Sequence, residues 1–382
     1  MEEDKWQKLR DQLERLGGAP RQWGLSDDEE KLPEPVLWKE IDDLSFPGDR
    51  WLVKDIFPKE GVSIVASISG EGKSLVIMHL ARCLSEGSPW FGDPRFATQK
   101  TKVLYVNLEM SVSEMQRRGR MMGYDPADSS LFILNEDDFN LNDSDNKDTK
   151  YLWLLGYILK SEIKVLIIDT FRPATGGMKE EKAEEVRKFF QKFQILKNSG
   201  VSVIFTEHLR KPSQFEGKIP KKEQLFGSQD KVASVETLLM LKKDETTQET
   251  CFYQRKNRLG PEIKPFAVKI TDALENERTV FKFNYIGEIE DETKKKDSAK
   301  ALILDILSAG DARTTKELLE LTKKEAGQKN VRQALRELQL LGEIDSVKVG
   351  KQNSYFLPKG ESEESPLGMV SLTEENSFFD EI

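Results

Sequence analysis

Val62-Ser63-Ile64-Val65-Ala66-Ser67-Ile68-Ser69-Gly70-Glu71-Gly72-Lys73-Ser74-Leu75 is the segment from which the rest of the chain can be read. Residues 62–66 are a short apolar run suited to a buried strand, and from Leu75 to Leu84 the apolar spacing becomes helical. A strand that passes through a glycine turn into a helix beginning near Lys-Ser is the setting a phosphate-binding loop requires. Successive backbone N–H groups point into such a loop, and Gly70 and Gly72 keep side chains out of the approach. The positive end of the following helix faces the same space. Lys73 would neutralise the β- and γ-phosphates, and the Ser74 hydroxyl would ligate magnesium. The expected nucleotide-binding residues are therefore Ser69, Gly70, Glu71, Gly72, Lys73, Ser74 and Leu75, with ATP and Mg2+ as cofactors. Ser67 occupies the place where the first glycine of such loops normally stands, a position that shapes the turn without touching phosphate.

Apolar strand-like runs recur at 103–108, 165–168, 201–206 and 238–241, with helical spacing at 113–122, 151–159 and 183–197 between them. Alternating strands and helices, several strands apolar on both faces, imply an α/β fold with a mainly parallel sheet covered on both sides. Segments 252–254 and 266–270 extend that sheet, and the Asp- and Asn-rich stretch 136–150 is expected as a surface loop. Asp169 ends the run Val165-Leu166-Ile167-Ile168 and would face the crevice at the carboxyl ends of the strands, where it would hold magnesium through water. Glu109 follows the 103–108 strand. Alone it would pass for a helix-start residue, although a carboxylate beside a γ-phosphate could also polarise an attacking water.

The run Leu108-Glu109-Met110-Ser111 followed by Ser113-Glu114-Met115-Gln116-Arg117-Arg118 is similar to the stretch of RepA/DnaB-type helicases that carries the catalytic glutamate. The resemblance makes Glu109 the hydrolytic base or water orienter. Thr206-Glu207-His208-Leu209-Arg210-Lys211 resembles the histidine-bearing strand end of the RepA-like ATPases, which implies that His208 senses the γ-phosphate. That family more often has two histidines in a row, and Glu207 departs from it. Lys256-Asn257-Arg258-Leu259-Gly260-Pro261 resembles the K-x-R-x-G-P stretch of the same helicases. There the lysine and arginine reach a neighbouring subunit's nucleotide, so Lys256 and Arg258 become a finger pair acting in trans, and the resemblance implies a homo-oligomer, a hexameric ring. Read on charge alone, the same cluster is a solvated basic turn. Gly227-Ser228-Gln229 matches the element that follows the second loop in this family.

Two basic loops are expected to grip DNA: residues 171–181, with Arg172 and Lys179, and residues 210–223, with Arg210, Lys211, Lys218, Lys221 and Lys222. Residues 298–358 read as a winged helix, with helices at 299–307, 314–325 and 328–341 and a hairpin of 343–349 with 353–357. Thr314 and Glu317 form a capping box, and Lys329, Arg332 and Arg336 line one side of the third helix, where DNA contact is expected together with wing residues Lys348 and Lys351. Ten bases against eight acids make this module only modestly positive, so protein docking stays open as its role.

The net charge of −9 is concentrated at the ends: −4 over residues 1–35 and −6 over residues 359–382, which leaves about +1 for the body. The division expected is an N-terminal arm and linker (1–35, with helical spacing over 2–17), an ATPase domain with a RecA-like core (36–285), a charged linker (286–297), the winged helix (298–358) and an acidic tail (359–382). The tail ends in Phe378-Phe379-Asp380-Glu381-Ile382, which would suit a protein partner. The start lacks the basic-then-apolar pattern of a signal peptide, no apolar run approaches a membrane span, and Cys83 and Cys251 sit in apolar stretches suited to a reducing compartment; a cytoplasmic protein is expected. The combined reading is an ATP-driven motor that moves on single-stranded DNA and unwinds duplex. The alternatives are a RadA-like recombination or repair ATPase and a DNA-tethered regulatory ATPase.

Overall fold

Strands that are apolar on both sides of the backbone are stable only in the middle layer of a fold, and alternate residues here serve the two faces. The computed structural model describes residues 37–42, 49–136, 139–142, 148–212, 219–227, 229–275, 277–323, 325–350 and 352–358. The helix read over 2–17, the tail 359–382, Lys218, Ser228 and Lys351 lie outside them.

The chain divides into two compact units, residues 1–290 and 291–382. In the first, a short helix α1 (Trp38–Asp42) precedes the small antiparallel pair β1 (Trp51–Val53) and β2 (Phe57–Pro58). The main succession is β3 (Val62–Ser67), α2 (Lys73–Glu86), β4 (Val103–Asn107), α3 (Val112–Met121), β5 (Leu131–Asn135), α4 (Thr149–Ser161), β6 (Val165–Asp169), α5 (Phe171–Ala174), α6 (Ala183–Lys192), α7 (Gln194–Asn198), β7 (Ser202–His208) and α8 (Asp230–Ser234). It ends with β8 (Thr237–Lys243), β9 (Thr250–Asn257), β10 (Phe266–Glu275) and β11 (Arg278–Glu288). One nine-stranded sheet results, in the order β11-β10-β9-β8-β3-β7-β6-β4-β5. The pairings from β8 through β5 are parallel and those from β8 outward to β11 antiparallel.

Period-two alternation assigns each strand residue to a layer. Ile64, Leu104, Val106, Leu166, Ile168, Val203, Phe205, Leu238 and Met240 pack with α4 to α7 on one face. Val65, Val103, Tyr105, Val165, Ile167, Ile204 and Leu239 pack with α2 and with Trp90, Phe91 and Phe96 on the other. The first face centres on Phe205, whose ring lies 5.1–6.0 Å from those of Phe171, Phe189, Phe190 and Phe193. On the second face His79 stacks on Phe283 with centroids 3.8 Å apart and contacts the Cys83 Sγ through Nε2.

Several expectations need correction. The helix read over 183–197 is broken at Phe193, which is fully buried between α6 and α7. The stretch 136–150 is not a wholly exposed loop, because Phe139 and Leu141 enter the core. Strands β1, β2, β5 and β11 are additions; β5 is an edge strand of mostly half-buried residues whose apolar run, Leu131-Phe132-Ile133-Leu134, is too short to tell strand from helix by pattern. The linker read over 286–297 is largely structured: β11 continues to Glu288 and a helix begins at Glu292. Its Glu-Thr-Lys-Lys-Lys run consists mainly of good helix formers and continues into the apolar series Ala299, Ile303, Leu307.

The second unit comprises α9 (Glu292–Ser308), β12 (Arg313–Thr314), α10 (Thr315–Leu321), α11 (Gln328–Leu340), β13 (Asp345–Val349) and β14 (Gln352–Phe356), with an antiparallel sheet in the order β12-β14-β13. The Thr314–Glu317 capping box is present, although α10 stops at Leu321, short of the expected 325. Val331, Leu335 and Leu338 face its core, while Lys329, Arg332 and Arg336 are exposed. Among the described residues no helix is long and apolar enough to cross a membrane.

Truncating Phe205 to alanine is expected to cost about 3–5 kcal/mol in denaturant unfolding, since four rings lose a common neighbour. Burial, aided by the Arg82 charge, holds the His79 imidazole down to about 3 from an ordinary 6.5. The unfolded chain thus binds this proton first, so the stabilisation from neutral His79 is complete above 6.5 and is lost as pH falls toward 3. His79→Phe, which keeps a ring on Phe283, is expected to flatten that part of the acid unfolding curve followed by circular dichroism.

Candidate nucleotide site

The parallel register gathers the chemistry at one edge. Ser67 pairs with His208, and Asn107 with Asp169, so β3, β4, β6 and β7 end together. From Ser67, fully buried and with its hydroxyl on the Ile68 carbonyl, the chain turns through Gly70 and Gly72, both with φ of +86°. A Cβ built on either glycine meets nothing within 4 Å among the described residues, so open space lies against the loop beside the first turn of α2. An anionic phosphate suits the start of a helix that follows a glycine turn, and Lys73, only 5% exposed, is the first residue of α2. Ser69, Gly70, Glu71 and Gly72 lie in this turn, and Ser74 and Leu75 in the first turn of α2. The Glu71 side chain lies against the end of β8: burial pushes its pKa up, opposed by the Lys243 amide and the Lys242 charge.

Glu109 is held by a turn that the sequence did not announce. Buried Asn107 donates from its amide to the Met110 carbonyl and accepts the Met110 N–H at 3.0 Å, which clamps residues 107–110 before Ser111 caps α3. The clamp presents Glu109 to His208, whose Nε2 is 3.3 Å from the Glu109 Oε1. That hydrogen bond, then the His208 and Lys73 charges, lower the Glu109 pKa against the opposing effect of burial. The structure therefore brings Lys73, Glu109 and His208 to one place.

Asp169 sits at the end of β6 as expected, but in an enclosed setting. Its carboxylate is fully buried: Oδ2 accepts the Tyr105 hydroxyl at 2.6 Å and Oδ1 accepts the Thr206 hydroxyl. Contact with a cation through water fits this arrangement better than direct ligation. Tyr105 and Thr206 escaped the sequence reading because they reach Asp169 from the strands on either side of β6.

Glu207, the departure from the family pattern, is not idle. Its Oε1 accepts the His208 amide at 2.9 Å, and its Oε2 lies 2.8 Å from the Lys231 Nζ. Lys231 also reaches the Glu180 Oε2 at 2.6 Å, and all three side chains are buried. Burial, reinforced by the neighbouring Glu180, pushes the Glu207 carboxyl up, against the pull of Lys231. Gly227 has φ of +87°, and a Cβ there would stand 2.7 Å from the Glu180 carbonyl, which is why the second loop ends in glycine.

The two expected DNA loops start at this edge. The first opens as helix α5 rather than as a free loop, with Phe171, Ala174, Met178 and Glu180 buried and Arg172 and Lys179 exposed. Arg172 lies over the Phe226 ring at 5.4 Å. In the second, Arg210 and Lys211 are exposed, Lys221 and Lys222 are half-buried, and Lys222 is 4.0 Å from Glu262.

Lys256 and Arg258 lie elsewhere. The Arg258 amide bonds the Glu236 carbonyl, and the Glu236 amide bonds the Val62 carbonyl, which sets Arg258 level with the start of β3. The Lys256 Nζ donates to the Val232 and Ala233 carbonyls of α8, and Arg258 donates to the Ala233 carbonyl at 2.7 Å. Burial, helped by the Arg258 charge, brings the Lys256 ammonium down to about 8.

Comparison with known proteins places the loop inside the span of one family model. Residues 26–214 match the AAA_25 family, described as an AAA domain. A KaiC-like protein from the hyperthermophilic archaeon Pyrococcus horikoshii OT3 superposes with a TM-score of 0.42 at 17% identity, covering 62% of this chain and 95% of that one. No curated protein matches the chain. The phosphate loop, Glu109, Asp169 and His208 all lie inside the matched span, which is similar to an AAA domain.

Because the His208 contact is the largest influence lowering the Glu109 pKa, His208→Ala is expected to raise that pKa. The acid limb of ATP turnover against pH then moves to higher pH. An acid limb identical to that of the wild type would exclude Glu109 as the group titrating there.

Proposed function

We propose that this protein is an ATP-driven motor with a RecA-like core, of the RepA/DnaB kind. In this reading it assembles as a ring, a hexamer, translocates on single-stranded DNA and unwinds duplex. The observation that carries the proposal is the separation of Lys256 and Arg258 from their own phosphate loop. Arg258 stands level with Val62 and Lys256 with Ile64, while the loop begins after Ser67, so β3 alone puts about 20 Å and about 13 Å between them and the loop. In this reading a basic pair so placed completes the site of another protomer.

Within one site the roles follow from position. The glycine turn and Lys73 hold the triphosphate, and Glu109 orients the attacking water. His208 bonds Glu109, and a γ-phosphate competes for it. Magnesium, when bound at Ser74 with Asp169 beyond its water shell, supplies charge neutralisation on the phosphates. Arg172, Lys179, Arg210 and Lys211 are exposed around the loops that leave the same edge and fit a phosphate backbone gripped without sequence preference. The second unit, three helices with a three-stranded sheet, is read as a winged helix whose exposed Lys329, Arg332 and Arg336 meet DNA.

Mixing variants tests the division of labour. Lys73→Ala and Glu109→Gln should each abolish ATP turnover and the unwinding of forked duplexes. Arg258→Ala should lower turnover by about a thousandfold. Arg258→Ala mixed with Lys73→Ala should recover part of the lost turnover, because some junctions then pair an intact loop with an intact arginine. Mixtures as inactive as their components, beside an active wild type, would refute the intersubunit site. ATP turnover without fork unwinding would leave the recombination or regulatory reading in place of the helicase.

A further inference from the structure

The buried Glu180–Lys231–Glu207 group has no part in the roles assigned above, and its surroundings set it between two functional ends of the molecule. Lys231 is fully buried, with its Nζ 2.6 Å from Glu180, 2.8 Å from Glu207 and 4.3 Å from the centre of the Phe171 ring. Two carboxylates around one ammonium in a dry interior are a costly way to fill space, and apolar residues of equal volume often stabilise a fold as well or better. What the charged group does that apolar packing would not is join specific atoms of separate elements.

On one side, Glu207 takes Lys231 with one oxygen and the backbone amide of His208 with the other, and His208 touches Glu109 at the nucleotide edge. Glu180 brings in the first basic loop, locked in place by the close approach of Gly227. On the other side, Lys231 belongs to the five-residue helix α8, and the next two residues, Val232 and Ala233, offer the carbonyls that hold Lys256 and Arg258. Helix α8 spans the interval between the two ends: Glu207 is level with Ala66, whereas Lys256 is level with Leu238 and Ile64. A shift of the β7 end therefore pulls on the residue that precedes the carbonyls under the basic pair.

We propose that Lys231 is a positioning residue that ties the nucleotide edge of a protomer to the basic pair the same protomer presents to its neighbour. Occupancy of one site would then set the reach of Lys256 and Arg258 into the next, so that sites in an assembly act in sequence. The consequence for the neighbour rests on the intersubunit reading above. The tie itself lies within one chain and can be tested without it.

The test is amide hydrogen exchange on the full-length protein, with and without a non-hydrolysable ATP analogue and magnesium. In the wild type the nucleotide is expected to slow exchange at the phosphate loop, at 202–208 and, about fivefold, at 254–258. Lys231→Met leaves two carboxylates buried without their cation and can fail to fold. The decisive variant is therefore Lys231→Met combined with Glu180→Gln and Glu207→Gln, which leaves no charge in the group. In it the phosphate loop is expected to respond as before and nucleotide affinity to stay within about twofold, while the response at 254–258 disappears. A merely structural role would alter protection with and without nucleotide equally and leave the difference standing. An undiminished difference at 254–258 in the triple variant, or none there in the wild type, overturns the proposal. Failure of the Arg258 and Lys73 mixing experiment would remove the neighbour from the scheme and leave this comparison untouched.

Discussion

Parallel pairing in register is the constraint from which the site follows. Because β3, β7, β6 and β4 run the same way and each returns through a crossover, their carboxyl ends meet at one edge. Ser67 stands beside His208, and Asp169 beside Asn107, without any side chain having to reach far. A slip of one residue along any of these strands would exchange the layers its side chains serve, placing Ile64 where Val65 packs or Leu166 where Ile167 packs. The large apolar area on both faces thus fixes the register, and the register positions the phosphate loop, Glu109 and His208.

Polar groups drawn into this interior are paired in ways that limit their cost and set their direction. Asp169 is surrounded by two hydroxyl donors from adjacent strands, which holds the carboxylate in one orientation behind the phosphate loop. Lys231 lies between two carboxylates and against an aromatic face. Such groups are dear to bury and dearer still to leave unpaired, so they resist rearrangement until a partner moves. That property suits elements that have to pass a displacement on. Helix α8 occupies a pivotal place in this respect: its lysine faces the nucleotide edge and its carbonyls face the basic pair.

Much of this was legible along the chain. The phosphate loop could be read because all its requirements are local: a buried strand, two glycines and a helix beginning with Lys-Ser within fourteen residues. Asp169 and His208 were legible as strand ends for the same reason, and the capping box of Thr314 and Glu317 is local too. The edge strand β5 was passed over although Leu131-Phe132-Ile133-Leu134 is apolar, because so short a run does not tell a strand from a piece of helix or loop. The break at Phe193 was hidden as well, because an unbroken helical spacing carries no sign of a turn that a buried ring can fill.

The sequence by itself determined the α/β class, most of the succession of strands and helices in the parallel core and the local setting of the phosphate loop, because short-range patterns of apolarity and glycine suffice for these; Glu109 and His208 stood out only through a resemblance to a family. Tertiary structure alone decided that Tyr105 and Thr206 enclose Asp169, and that Glu207 has its partner in Lys231. It alone also separated the basic pair from its own phosphate loop. The contacts of Asp169 and Glu207 depend on which strands are neighbours in the sheet, an outcome of packing and crossover that brings together residues between 24 and 64 positions apart, beyond any local signal.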